Sequence, residues 1–197
     1  MILLIALLVP FAAGVFSALA RSRRAMETAN LAAFGIGFVL SLVLAGQVLS
    51  AGSVSLWGGF LYADHLSALV CLLTASVALV CSVYAVGYLR EDERSGTFDE
   101  DGDAGVSQFR KYYSLTPLFV CAMLLVALAN NLGVMWVAIE ATTLASAPLI
   151  YYHQNRRSLE AAWKYLILCS VGIALALLGI FFIRMTTQDG LHSGQRL

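Results

Sequence analysis

The sequence predicts an all-α, polytopic transmembrane bundle of about six spanning helices with its N-terminus outside. Three observations carry this expectation. Hydrophobic residues make up 60% and charged residues 12% of the 197 positions, against ~45–50% and ~25% in soluble domains. The apolar residues are blocked into six runs, near 2–20, 30–50, 64–89, 113–130, 132–152 and 160–183, each about the ~20 residues that cross a hydrocarbon core. The basic residues fall mostly on one side of those runs.

The first run resembles a secretory signal at Ala18-Leu19-Ala20. No Lys or Arg precedes it and the charges follow it, the reverse of a signal peptide, so it reads as a retained helix. Arg21, Arg23 and Arg24 follow, then the second run, then a stretch near 51–63 without Lys or Arg. The third run opens at Asp64-His65 and leads to Arg90, Arg94, Arg110 and Lys111. The fourth and fifth runs are divided only by Asn130 and Asn131, a tight hairpin. Arg156 and Arg157 precede the sixth run; Arg184 and Arg196 follow it. Nine basic residues thus lie on one side, two on the other, and Lys164 within a helix. The positive-inside rule puts the nine in the cytoplasm. Tyr84, Tyr88, Tyr112, Tyr113, Tyr151 and Tyr152 gather at the same helix ends, as an aromatic belt does.

Several chemistries are excluded. The net charge is zero, and no basic, aromatic-interleaved stripe points to nucleic acid. Cys71, Cys81, Cys121 and Cys169 all sit in apolar runs without a C-x-x-C pair, so they read as small core residues and not as cluster or zinc ligands. His65, His153 and His192 are scattered. No metal or cofactor is expected. The acidic stretch 91–107 contains "DEDGD", which invites a calcium loop. Ligands at Asp99, Asp101 and Asp103 would place Ala104 where such a loop needs Gly and Arg110 where it needs Glu. A solvated loop is the expectation.

The residues that carry chemistry are charges inside apolar runs. Glu140 is near the middle of the fifth run, where an acidic residue costs roughly 2.5–3.5 kcal/mol or more to insert. It should face the bundle interior, either handling protons or held by one structural bond. The small residues Ala141, Thr142, Thr143, Ala145, Ser146 and Ala147 let helices approach there. Pro148 frees the Leu144 carbonyl and should kink the helix. Lys164 lies one turn into the sixth run. It either reaches toward Glu140, snorkels, or pairs with Glu160 four residues before it. Ser158 is placed to cap that helix, with Glu160 in its first turn. Asp64 is an N-cap or a further polar member of the site.

"NNLGVMWVAIEATTLASAPLIYY" followed by "SLEAAWKYLILCSVGIALALLG" resembles helices five and six of the antiporter-like membrane subunits shared by respiratory complex I, the quinone-reducing NADH dehydrogenase, and the membrane-bound hydrogenases. The second block is most similar to the hydrogenase-4 component F type. "DHLSAL" and "YAVGYLRED" are similar to the family's third helix. The resemblance implies a hydrated line of charges in which Glu140 and Lys164 are proton-relay residues, supported by Thr143, Pro148, Glu160 and Asp64. It implies a multi-pass protein of a bacterial-type inner membrane, partnered by other membrane subunits and lipid and carrying no redox chemistry of its own. Electron transfer in partner subunits would drive proton or sodium movement. The alternatives are a cation/proton antiporter, an inorganic-carbon uptake subunit of the same superfamily, or a truncated structural or assembly paralogue. Members have about fourteen helices with two inverted five-helix repeats. On that template, 1–112 holds three N-terminal helices and the acidic loop, 113–183 begins the conducting repeat, and 184–197 is a polar tail. The expectation is a fragment, a split half or a truncated paralogue, with a second chain able to carry the missing helices.

Overall fold

The computed structural model describes residues 1–20, 22–94, 102–152 and 156–194, and side chains over 1–20, 22–91, 108–152 and 156–186. Six helices form among the described residues: α1 (Ile2–Leu19), α2 (Arg23–Ala51), α3 (His65–Arg94), α4 (Gly102–Leu128), α5 (Leu132–Ile150) and α6 (Arg156–Gly194). Each is long and apolar enough to cross a membrane, and a helix satisfies its own backbone there. The elements run α1 against α2 and α4, α2 against α3, α4 against α5, and α5 against α6.

One apolar cluster holds the first four helices together through Leu3, Leu44, Cys71, Val120, Leu124 and Leu128. A second cluster gathers Met26, Ala85, Leu89, Phe109 and Tyr113, with Ala20 and Tyr152 packed on it. It joins the end of α1, the start of α2, the end of α3, the start of α4 and the residues after α5. Most of the basic residues belong to this end, called the basic end below. α1 and α4 approach closely at Gly14, where an added Cβ would stand 2.7 Å from Leu118 Cγ and 3.0 Å from the Ser114 carbonyl. Ser114 Oγ donates to the Gly14 carbonyl across this contact at 3.0 Å.

The stretch near 51–63 is not a plain loop. Strands β1 (Val54–Leu56) and β2 (Leu61–Ala63) pair antiparallel, with Ser55 opposite Tyr62. Trp57, Gly58 and Gly59 make the turn at φ 53°, 65° and 92°; two glycines supply left-handed backbone freely, while Trp57 adopts it at some strain. The hairpin is sewn to the α4–α5 turn: Asn130 donates its backbone N–H to the Phe60 carbonyl at 3.2 Å and its Nδ2 to the Gly59 carbonyl at 2.7 Å. The Asn pair therefore anchors the hairpin as well as turning the chain, and Asn131 Oδ1 caps α5 by accepting from Gly133 and Val134.

Three local expectations change. α4 begins at Gly102, well before 113. α6 begins at Arg156, so Ser158 and Glu160 lie inside the helix rather than at its cap and first turn, and it continues helical to Gly194 through the stretch expected as a polar tail. Pro148 lies inside α5, two residues before its end, so its missing N–H falls in the last turn. The calcium-like ligand set lies outside the described residues or among side chains that are not described.

Candidate functional site

Glu140 sits half-buried on α5. Two hydrogen bonds fix how α5 and α6 align. Trp136 Nε1 donates to the Ile173 carbonyl at 2.9 Å, and Ser146 Oγ and the Tyr165 hydroxyl lie 3.0 Å apart. Glu140 falls between these ties, level with Cys169 and Ser170 on the antiparallel partner. Lys164 is level with Ser146 and Ala147. Six residues of α6, about 9 Å at ~1.5 Å per residue, therefore separate the two groups along the axis.

Around Glu140 the hydroxyls bond backward along their own helix. Thr143 Oγ1 donates to the Glu140 carbonyl at 2.7 Å and stands 3.5 Å from Glu140 Oε2, at the outer limit of a hydrogen bond. Thr142 donates to Ile139 at 2.6 Å and Ser146 to Thr143 at 3.0 Å. These bonds satisfy hydroxyls where water is scarce. Thr143 is thus the hydroxyl beside the carboxylate, which is itself weakly held. A cavity of about 280 Å³ opens beside the same stretch, lined by Thr74, Ile139 and Thr142 among others, between α3, α4 and α5. It is roomy enough for water and offers hydroxyls to it.

Lys164 is not joined to Glu140 in this arrangement. Its Nζ donates to Glu160 Oε1 at 2.5 Å, with side chains 74% and 65% exposed. Asp64 caps α3: its Oδ1 accepts from the Ser67 N–H at 2.7 Å, and that backbone bond holds its carboxyl below the ordinary range. It stands at the opposite end of the bundle from Lys164 and takes no part in the Glu140 surroundings. Pro148 is exposed. Cys71 is buried, Cys121 donates to the Leu7 carbonyl at 3.3 Å, and no group of metal-binding side chains forms among the described residues.

Sequence reasoning missed a second buried charge. Glu27 on α2 accepts from Arg23 Nε at 2.8 Å and from Arg90 Nη2 at 2.9 Å, its side chain 7% exposed. The Arg23 guanidinium also lies 4.3 Å over the Phe109 ring. One turn deeper, Asn30 Nδ2 faces Ser17 Oγ at 3.0 Å, the Met26 carbonyl at 3.2 Å and the Tyr113 carbonyl at 2.9 Å. This knot ties α1, α2, α3 and α4 at the basic end. The i, i+4 spacing of Arg23 and Glu27 was the available signal.

Two family descriptions match the chain: "NADH:quinone oxidoreductase/Mrp antiporter, TM" over residues 129–191 and "NADH-Ubiquinone oxidoreductase (complex I), chain 5 N-terminus" over residues 49–98. The chain belongs to this family of antiporter-like membrane subunits. Glu140 and Lys164 lie within the first match, and Asp64 within the second. Among relatives, a hydrogenase-4 component F homologue of Methylacidiphilum infernorum is 32% identical over 70% of this chain and 28% of its own length. An F420H2 dehydrogenase subunit N of Methanosarcina mazei is 32% identical over 61% of this chain and 22% of its own. A Na+/H+ antiporter subunit A1 of Staphylococcus haemolyticus is 33% identical over 66% of this chain and 15% of its own. The chain spans less than a third of each of these relatives. A chain in the membrane-bound sulfane sulfur reductase, an archaeal respiratory membrane complex, shares the fold, with a TM-score of 0.69 and 18% identity over 90% of this chain and 35% of that one.

Proposed function

We propose that this chain is a proton-translocating membrane subunit, or the N-terminal piece of one, in an NADH dehydrogenase-like or hydrogenase complex of a bacterial-type plasma membrane. The observation that carries the reading is Glu140: a half-buried carboxylate midway along a spanning helix, weakly held by Thr143, within the residues the family description matches. Such residues in membrane helices belong to ion pathways far more often than to packing. Electron transfer in partner subunits shifts the charge near Lys164. Lys164 then exchanges Glu160 for Glu140, the two states of the pair favour different proton occupancies, and a proton moves. The nine basic residues at one end support an orientation with the N-terminus outside and the basic end in the cytoplasm.

Partner membrane subunits fit the surface of α6, whose apolar side chains Leu168, Val171, Leu175 and Phe181 all stand exposed. The relative named as a Na+/H+ antiporter subunit supports a second reading, cation/proton exchange through the same residues. The test is proton movement in inverted membrane vesicles from cells carrying Glu140→Gln. The expected result is intact assembly with substrate-driven acidification of the vesicle interior lost. Full acidification in that variant overturns the relay. Dependence of wild-type proton movement on sodium selects the exchange reading.

A further inference from the structure

We infer that the seam between α3, α4 and α5 at the basic end binds an anionic phospholipid. A cavity of about 530 Å³ lies there, lined by Val80, Tyr84, Ala85 and Tyr88 of α3, Tyr112 of α4 and Leu149 of α5 among others. This is the size of a small-ligand site. Its α3 wall runs from Val80 to Leu89, nine residues or ~13 Å along the axis at ~1.5 Å per residue. Its inner end at Val80 and Cys81 is apolar, a wall against which an acyl chain can lie.

Its mouth is polar. A second cavity of about 90 Å³ shares Leu149 and Tyr152 with the first and adds Gln108, Lys111, Pro148 and Tyr151. Lys111 is exposed and presents an ammonium to a phosphate. Gln108 stands beside it in the same lining. Tyr84 and Tyr88 stack at 6.1 Å, and Tyr112 meets Tyr152 edge-on at 6.0 Å, placing rings at headgroup depth on both sides of the cleft. Apolar cleft, ring belt and cation occur in the order in which a phospholipid presents tail, glycerol and headgroup. Basic pockets between spanning helices hold anionic headgroups for the same reason.

The test is lipid retention. The full chain, purified in detergent, is loaded with phosphatidylglycerol or phosphatidylcholine of identical acyl chains, and bound lipid is counted by native mass spectrometry. About fivefold preference for phosphatidylglycerol is expected from one lysine. Lys111→Gln should bring the ratio near one with helix content unchanged. Cys81→Trp, which fills the cleft from an exposed position on its wall, should cut retention of both lipids. Equal retention by the wild type, a preference that survives Lys111→Gln, or retention untouched by Cys81→Trp overturns the site. So does absence of phosphatidylglycerol from chain extracted from its own membrane, the result if another helix fills the seam.

Discussion

Glu27→Gln should destabilise the bundle by about 2 kcal/mol. The figure lies between two limits. Removing one partner of a fully buried ion pair costs roughly 3–5 kcal/mol, because the other charge is left without compensation. An exposed pair contributes only ~0.2–1 kcal/mol. Glu27 is 7% exposed, but Arg23 is 22% and Arg90 58% exposed, so the loss lies between those limits. Arg90→Gln alone should cost less, ~0.5–1 kcal/mol, since its charge is largely solvated already. The double variant should be little worse than Glu27→Gln, leaving a coupling of ~0.5–1 kcal/mol. The assay uses Cys71, 2% exposed at the centre of the larger cluster. In a chain whose other cysteines are Ala, its reaction with a maleimide dye in micelles under graded denaturant reports opening of the bundle. Unchanged opening in Glu27→Gln, or costs that simply add in the double variant, would show that the pair joins α2 to α3 in geometry but not in energy.

Gly14→Val should cost ~1–3 kcal/mol in the same assay, because the new side chain overlaps Leu118 Cγ and the Ser114 carbonyl. Asn30→Leu should cost ~1–3 kcal/mol by stranding the buried Ser17 hydroxyl and the Tyr113 carbonyl. Asp64 gives a pH effect of defined sign. Its folded carboxyl titrates below the ordinary 3.8, so its stabilisation of the first turn of α3 is present above that value and is lost as pH falls through the lower, folded value. Amide exchange at Ser67, corrected for the intrinsic pH dependence, should therefore quicken on acidification. It should be fast at every pH in Asp64→Ala and insensitive to acid in Asp64→Asn, whose amide oxygen still caps.

The six helices were legible because a spanning segment is written in one strong variable, hydropathy, over about twenty positions. Their ends were not, because a helix continues past the bilayer into water where hydropathy says nothing about backbone. That is why α4 starts at Gly102 rather than near 113 and α6 runs to Gly194 rather than 183. The β1–β2 hairpin escaped notice for a different reason: strands of three residues are too short to show a period of two. Trp57-Gly58-Gly59 was the readable trace of its turn. At the site, Glu140 stood out because it interrupts an apolar run, while Glu27 was hidden among the arginines preceding one. The Glu160–Lys164 pair was readable from its i, i+4 spacing. No local spacing reports the relation of Lys164 to Glu140, which depends on the Trp136–Ile173 and Ser146–Tyr165 ties.

Those ties bear on how the proposed relay is switched. Lys164 rests on Glu160 in an exposed i, i+4 pair worth ~0.3–0.5 kcal/mol, below the thermal energy. Releasing it is nearly free. A charge at the depth of Glu140 carries an insertion cost of roughly 2.5–3.5 kcal/mol, part of which an approaching ammonium offsets. The larger energy therefore sits at Glu140, and Glu160, about 15 Å from the level of Glu140 along the axis, serves as a shallow resting place for the cation. This asymmetry ranks the variants. Glu160→Gln removes ~0.4 kcal/mol and should change proton movement by about twofold at most. Lys164→Gln removes the moving charge and should come close to the loss in Glu140→Gln. Vesicle acidification measured side by side in the three variants decides the matter: a Glu160→Gln effect larger than that of Lys164→Gln would mean that Glu160, not Glu140, is the partner through which Lys164 acts.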